Sequence, residues 1–81
     1  MDKNLKEQMM LMAVSDIELL FCIISDLSFE GYKISLCKLK GYSLQQCATK
    51  FGVSKSNAQY AWEKCQEKNY DVELKRLFMI G

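Results

Sequence analysis

Proline and histidine are absent from this chain of 81 residues, and only four glycines are present. Without proline, and with little alternation of apolar and polar residues, the sequence favours helices over strands. Its apolar content of 49% is that of a protein that folds around a core. We therefore predict an all-α fold, a small bundle of four to five helices, as a single helical domain over residues 1–81.

Signatures of catalysis are missing as well. The chain has no histidine and no glycine-rich phosphate loop, and no pair of carboxylates lies in a context that suggests unusual burial. No basic partner is evident for a cysteine nucleophile. We predict that the protein is not an enzyme and that it has no catalytic residue and no cofactor.

The four cysteines lack the paired C-x-x-C spacing of zinc sites; they are Cys22, Cys37, Cys47 and Cys65. Without histidine, a zinc site would need all four scattered thiolates. Each cysteine occupies an apolar position of a predicted helix, where a free thiol behaves as a small hydrophobic group. We therefore predict neither a metal site nor a disulfide.

Long hydrophobic runs are also absent. The longest one, from Ile17 to Ile24 with Glu18 inside it, is far shorter than the roughly 20 residues that a membrane span needs. The first residues, MDKNLKEQ, carry mixed charge and precede no cleavage-type small-residue site, so no signal peptide is indicated. We expect a cytoplasmic protein that does not enter a membrane.

Charge is nearly balanced overall, at +1, but it is unevenly distributed. Residues 1–30 contain two lysines and six acids, whereas the segment from Gly31 to Trp62, which we call the acid-free segment, contains five lysines and no acid. A basic surface confined to one segment is typical of phosphate binding. The alternative is a chance charge bias on a solvated face.

The acid-free segment contains a pattern of helix, tight turn and helix. Ser43 is positioned to cap the first helix. The apolar positions of this helix recur at helical spacing and are Leu44, Cys47, Ala48 and Phe51. Gly52 follows where the chain must turn sharply, because glycine takes positive φ at little steric cost.

The second helix of the pattern begins after Val53, a small apolar residue suited to the turn. Ser54 is positioned to cap this helix, and its apolar positions are Ala58, Ala61 and Cys65. Small residues allow the close, steep crossing that a short turn imposes on two helices. The pattern therefore predicts a helix-turn-helix at about residues 43–66.

The stretch KGYSLQQCATKFGVSKSNAQYAWEKC resembles the helix-turn-helix of DNA-binding proteins. The alanine, turn glycine and apolar core positions of that family are matched by Ala48, Gly52, Val53, Ala58 and Ala61. With the preceding KISLCKLKGYSLQQ, residues 28–68 look most like the four-helix region 4 of bacterial sigma factors. The chain departs from this family at Cys47 and Ala58, where larger aliphatic residues are more common, so a bulkier residue such as Phe51 or Trp62 must complete the packing.

The resemblance implies that the second helix enters the major groove of double-stranded DNA. Its early outward residues are then candidates to read bases, and they are Lys55, Ser56, Asn57, Gln59 and Tyr60, with Glu63 one turn later. Candidates for phosphate contacts are Lys33, Lys38, Lys40, Ser43, Gln45, Lys50 and Ser54. The alternative is that these polar residues are solvated helix positions and that Tyr60 and Trp62 are packing residues.

Three helices are predicted ahead of the motif. The first runs from Asp2, its cap, to about Val14. The second begins at Ser15, which forms a capping-box pattern with Glu18, and it ends near Leu27.

The second predicted helix is apolar on most of its surface. Its main apolar stripe consists of Ile17, Leu20, Phe21, Ile24 and Leu27, while Leu19, Cys22 and Ile23 lie off that stripe. A helix that is apolar nearly all round is either enclosed or partnered, so we interpret residues 2–27 as a support for the motif or a dimerisation element.

The third helix follows a break at residues 25–28 and ends near Lys40, with Gly41 as its C-terminal signal. A last short helix is predicted after Tyr70, with Asp71 as its cap. Its apolar positions are Val72, Leu74, Leu77 and Phe78. This helix either covers the core or pairs with another chain.

Two functions are compatible with this organisation. The first is a small sequence-specific DNA-binding transcriptional regulator that forms a homodimer through the N-terminal helices or the last one. The second is a protein-interaction module, an adaptor or inhibitor of the kind found in mobile elements, built on a helix-turn-helix scaffold. The acid-free segment favours the first function, and the low net charge with the apolar run at residues 19–23 favours the second.

Overall fold

The computed structural model describes residue 7 and residues 10–80, which contain no strand. Four helices follow one another: α1 (Val14–Leu39), α2 (Leu44–Phe51), α3 (Lys55–Glu67) and α4 (Tyr70–Phe78). The prediction of a small all-α bundle is therefore confirmed. The first predicted helix, with its cap at Asp2, lies mostly outside the described residues.

Helix α1 is broken at Ser28, which has φ 68° and ψ 164°. This backbone region is populated almost only by glycine. The Ser28 hydroxyl accepts a hydrogen bond from the Gly31 N–H at 3.2 Å and so caps the helical segment that follows. The predicted break at residues 25–28 is confirmed, and we call the two parts α1a (residues 14–27) and α1b (residues 29–39).

The predicted capping box at Ser15 is wrong. Helix α1 begins at Val14 with Ala13 as its N-cap, and no side chain forms a cap hydrogen bond. The Ala13 carbonyl already accepts from the N–H groups of Asp16 and Ile17, at 3.0 and 3.1 Å. Ser15 is therefore inside the first turn, two positions after the N-cap.

The prediction for the apolar stripe of α1a is wrong at two residues, because it placed Phe21 on the stripe and Ile23 off it. Ile23 is completely buried, together with Leu20, whereas Phe21 is 48% exposed and Cys22 is also exposed. The orientation is set by α4, which contacts α1a. Arg76 of α4 pairs with Asp16 near the start of α1a, and residues at i, i+4 and i+7 from Asp16 share its face.

The buried side chains form two clusters. The first consists of Leu20, Ile23, Leu27, Tyr32, Cys65 and Leu74, with Trp62 among the residues packed against it. The second consists of Ile34, Cys37, Cys47, Ala48 and Ala58. Helix α1b contributes to both clusters, so it packs between the helix-turn-helix and the rest of the bundle.

Helix α4 begins two residues earlier than predicted, and Asp71 is not its cap. Asn69 precedes the helix in the left-handed conformation, at φ 59° and ψ 24°, and forms no side-chain cap hydrogen bond. Asp71 instead lies in the first turn, where a carboxylate interacts favourably with the helix dipole. Leu74 is fully buried, so this helix covers the core.

A polar junction joins the end of α1a to α3 and α4. Asp26 Oδ2 accepts hydrogen bonds from Lys68 Nζ, at 3.0 Å, and from the Tyr70 hydroxyl, while the Asp26 carbonyl accepts from Lys64 Nζ at 2.8 Å. The bonds from Tyr70 and Lys68 lower the pKa of Asp26 below its usual value. The same carboxylate raises the pKa of Tyr70 to about 12.

Substitutions at Ser28 distinguish a break from a continuous helix. In an uninterrupted helix, alanine is more stable than glycine by about 1 kcal/mol. At the φ and ψ of Ser28, a residue with a Cβ atom is strained by about 1–3 kcal/mol, so we expect Ser28→Gly to be more stable than Ser28→Ala by a similar amount. Denaturant unfolding followed by circular dichroism measures the difference, and an alanine variant at least as stable as the glycine variant would contradict the break.

The junction at Asp26 predicts a defined pH dependence. Because the pKa of Asp26 is lowered in the folded state, its contribution is complete above the unfolded pKa of about 4 and is lost as pH falls through the folded pKa. Because the pKa of Tyr70 is raised to about 12, its contribution is complete below about pH 10 and is lost as pH rises through the folded value.

We expect Asp26→Asn to flatten the pH dependence of the unfolding midpoint at both ends. Tyr70→Phe should remove the alkaline part and leave the acid contribution of the Asp26–Lys68 pair. Urea unfolding across the pH range measures both effects. If Asp26→Asn retained the wild-type pH profile, the junction would not contribute to stability.

Candidate nucleic-acid interface

Helix α2 begins with a complete capping box. The Gln46 N–H donates to Ser43 Oγ at 3.1 Å, and the Ser43 N–H donates to Gln46 Oε1 at 2.9 Å. The predicted cap at Ser43 is confirmed. The role of Gln46 was not predicted, although its position three residues after the cap is the signature of this motif.

The turn between α2 and α3 consists of residues 52–54. Gly52 is left-handed, at φ 67° and ψ 32°, as predicted. The Val53 N–H donates to the Ala48 carbonyl at 3.0 Å, and Ser54 Oγ accepts from the Asn57 N–H at 3.1 Å, which confirms Ser54 as the cap of α3. The local hydrogen bonds of this turn thus fix the direction in which α3 leaves it.

Small buried residues let the two helices of the motif approach each other. Cys47 and Ala58 are fully buried, and Ala48 is 1% exposed. Phe51 packs against this second cluster, whereas Trp62 packs against the first one. Of the two bulky residues expected to complete the packing of the motif, Phe51 therefore does so, and Trp62 joins α3 to the rest of the bundle.

The outward side of α3 carries the five candidate base-reading residues. Lys55, Ser56, Asn57, Gln59 and Tyr60 are all exposed, and Tyr60 keeps 68% of its surface in solvent. Their exposure follows from helical spacing, because Ala58 and Cys65 occupy the buried side. All five side chains are thus open to a partner along one helix.

The candidate phosphate contacts fall into different environments. Two of them, Lys33 of α1b and Lys50 of α2, lie near the ring of Phe51, with their Nζ atoms 6.0 and 5.9 Å from its centroid. Lys38 is instead 5.9 Å from the Trp62 ring. Lys33 and Lys38 are half-buried, and the exposed candidates are Lys40, Ser43, Gln45, Lys50 and Ser54. The structure therefore brings Lys33 and Lys50 together and leaves Lys38 beside α3.

Aromatic rings hold these lysines without neutralising them. Lys33 Nζ is also 4.6 Å from the Phe29 ring, and Lys50 Nζ is 5.8 Å from the Tyr42 ring. A lysine can pack its aliphatic stem against a ring while its ammonium group stays hydrated. The positive charges near the turn therefore remain available to an anion.

The ion pairs in the described part of the chain lie outside the acid-free segment. They join Asp26 with Lys68 at 3.0 Å, Asp16 with Arg76 at 3.4 Å, and Glu73 with Arg76 at 3.2 Å. None of these pairs uses Lys33, Lys38, Lys40, Lys50 or Lys55. The bases near the C-terminus thus compensate part of the acidic N-terminal region, and the charge of the acid-free segment is left uncompensated.

The buried thiols behave as packing groups. Burial and a hydrogen bond with Cys37 raise the pKa of Cys47 to about 12, and burial also raises the pKa of Cys65. Cys22 is exposed, in agreement with its predicted position off the main apolar stripe of its helix. Among the residues described, no group of three or more possible ligands could hold a metal ion.

Comparison with known proteins adds no assignment. No protein-family model, curated protein sequence or solved structure matches the chain. The resemblance to sigma-factor region 4 thus stays a prediction based on residues 28–68. Across the described residues, no helix combines the length and apolar character that crossing a bilayer requires.

Substitutions at Gly52 test the turn. An added Cβ atom would have no atom within 4 Å, so any destabilisation comes from the backbone conformation alone. At positive φ, a Cβ atom costs about 1–2 kcal/mol, and a β-branched side chain costs more. We expect the free energy of unfolding to fall in the order Gly52→Asn, Gly52→Ala, Gly52→Val, because asparagine tolerates this conformation best. A Gly52→Val protein with wild-type stability would show that the turn has another geometry.

Proposed function

We propose that the protein binds double-stranded DNA through the helix-turn-helix at residues 43–66 and acts as a small transcriptional regulator in the cytoplasm. The observation that carries this proposal is the uncompensated charge of the acid-free segment. Its five lysines form no ion pair in the described structure, and the same segment presents the exposed outward side of α3. Positive charge beside an exposed helix is the arrangement that groove binding needs.

The outward residues of α3 have the chemistry to distinguish base pairs. Asn57 and Gln59 are suited to bidentate hydrogen bonds with adenine, and Lys55 can donate to guanine. Each good bidentate contact contributes about 1–3 kcal/mol of discrimination. Two or three such contacts give one subunit modest specificity, so a tight site would need two subunits.

Phosphate contacts would fix the orientation of α3 in the groove. The lysines around Phe51 lie near the turn, and the N-termini of α2 and α3 supply backbone N–H groups. The hydroxyls of Ser43 and Ser54 already accept cap hydrogen bonds. We therefore assign the main phosphate role to the lysines and the helix N-termini, and a minor one to these serines.

The homodimer we propose uses the outward side of α1a. Val14 and Phe21 lie seven residues apart on one side of this helix, with 71% and 48% of their surfaces exposed, and Cys22 is exposed beside them. We call these three residues the exposed apolar face. Helix α4 is a less suitable interface, because Val72, at 59% exposure, is its single exposed large apolar residue.

The exposed apolar face also favours a second candidate function. Exposed apolar residues on one side of a helix favour contact with a partner, and another protein could occupy this face in place of a second copy. In that case the protein would be an adaptor or an inhibitor that uses the helix-turn-helix as a scaffold. The two functions differ in whether the acid-free segment binds DNA.

DNA binding should depend steeply on salt. The logarithm of the affinity falls with the logarithm of salt concentration by about 0.9 per neutralised phosphate. For three or four phosphates, we expect an affinity loss of about 40- to 150-fold between 50 mM and 200 mM salt. Fluorescence anisotropy on a generic A·T-rich duplex measures this loss.

A charge reversal identifies the surface that is responsible. Lys55→Glu should weaken DNA binding at both salt concentrations while circular dichroism shows an unchanged fold. Lys75→Glu is the matched control, because Lys75 is exposed on α4, outside the motif. Equal losses in the two variants, or an affinity that does not change with salt, would contradict the proposed DNA surface. Absence of binding at low salt would favour the protein-interaction function.

A further inference from the structure

Two of the outward side chains of α3 are hydrogen-bonded to each other. Gln59 Nε2 donates to Glu63 Oε1 at 3.0 Å, and both residues are exposed. They lie four residues apart, the spacing at which side chains meet on a helix surface. The bond fixes which end of the Gln59 amide points toward Glu63.

This contact leaves the recognition capacity of Gln59 intact. An amide group has two N–H hydrogens and one acceptor oxygen. One hydrogen is used by Glu63, so the second hydrogen and Oε1 remain for a bidentate pair with adenine. An oriented amide also loses less conformational entropy when it binds than a freely rotating one does.

Glu63 carries a negative charge next to the acid-free segment. It is the first acid that follows Glu30 in the sequence, and it stands on the same helix as the five candidate base-reading residues. A carboxylate near DNA is repelled by phosphates at every sequence. It is tolerated where a base offers a hydrogen-bond donor, and cytosine N4 is such a donor in the major groove.

We propose that Glu63 is a positioning residue that orients Gln59 toward adenine and makes tight binding conditional on a nearby cytosine. This inference rests on the proposed DNA-binding function and deepens it, because it names the base pairs that the site prefers. Four residues of helix span about 6 Å, and base pairs are stacked about 3.4 Å apart. The preferred adenine and cytosine therefore belong to base pairs no more than two steps apart.

If Glu63 has this role, its substitution changes specific and non-specific DNA binding in different directions. Removing its charge should strengthen binding to duplexes that lack the preferred site, because the repulsion from phosphates disappears. The same change should weaken the preference for cytosine, because an amide presents a donor as well as an acceptor. A residue with only a structural role would shift both affinities together.

Glu63→Gln and Glu67→Gln provide a matched test in the full-length protein. Each variant removes one negative charge from an exposed position of α3, but only Glu63 contacts Gln59. Selection from a random duplex library by the wild type gives the preferred site. Anisotropy then measures the affinity for that duplex, for duplexes with the adenine or the cytosine replaced, and for a generic A·T-rich duplex.

We expect the wild type to lose about 5- to 150-fold in affinity when either base is replaced, the equivalent of 1–3 kcal/mol. Glu63→Gln should bind the generic duplex more tightly and lose most of the cytosine preference, with an unchanged thermal midpoint. Glu63→Ala, which leaves the Gln59 amide without its acceptor, should lose most of the adenine preference as well. Glu67→Gln and Glu67→Ala should keep both preferences.

The inference would be overturned by a Glu63→Gln variant that keeps the cytosine preference, by a Glu63→Ala variant that keeps the adenine preference, or by equal losses in the matching Glu67 variants. DNA binding with the expected salt dependence but without any base preference would overturn the role of Glu63 and leave the proposed function standing. Failure to bind any duplex at low salt would overturn both.

Discussion

The close contact between α1b and α3 is the constraint on which the rest of the structure depends. A Cβ atom added to Gly31 would lie 3.5 Å from the Ala61 Cβ of α3, an ordinary van der Waals distance, so the two helices meet in close contact through small residues. One turn further, the Ser35 hydroxyl donates to the Gly31 carbonyl at 2.9 Å. Because α1b contributes side chains to both clusters, this contact fixes the helix-turn-helix relative to the bundle.

The charged residues also differ between the helix-turn-helix and the rest of the bundle. Asp26 binds Lys64, Lys68 and Tyr70 where α1a ends, so the acidic N-terminal region is tied to the basic end of α3. The lysines of the acid-free segment are held by aromatic rings instead. A ring orients an ammonium group without neutralising it. In this way a chain with a net charge of +1 leaves the five lysines of one segment without an ion pair in the described structure.

The helix-turn-helix was predictable from the sequence because its determinants are local. A serine cap, a glycine at positive φ and apolar residues at helical spacing act within four or five residues of one another, and Ser43, Gly52 and Ser54 all have the predicted roles. The two capping predictions that failed were those for Ser15 and Asp71. In each case the helix begins two residues earlier, after Ala13 or after the left-handed Asn69. A capping residue in a sequence identifies a helix start only to within one or two positions.

The sequence by itself determined the all-α class, the break before α1b and the position of the turn, because each follows from backbone preferences of a few adjacent residues. Tertiary structure alone decided which side of α1a is buried. Phe21 and Ile23 are equally suited to a core, and the position of α4 exposes the first and buries the second. It also decided that Lys33 and Lys50 share one aromatic ring and that Gln59 meets Glu63 beside the candidate base-reading residues. Contacts of this kind depend on how helices pack and which rotamers face each other, and no local preference encodes either.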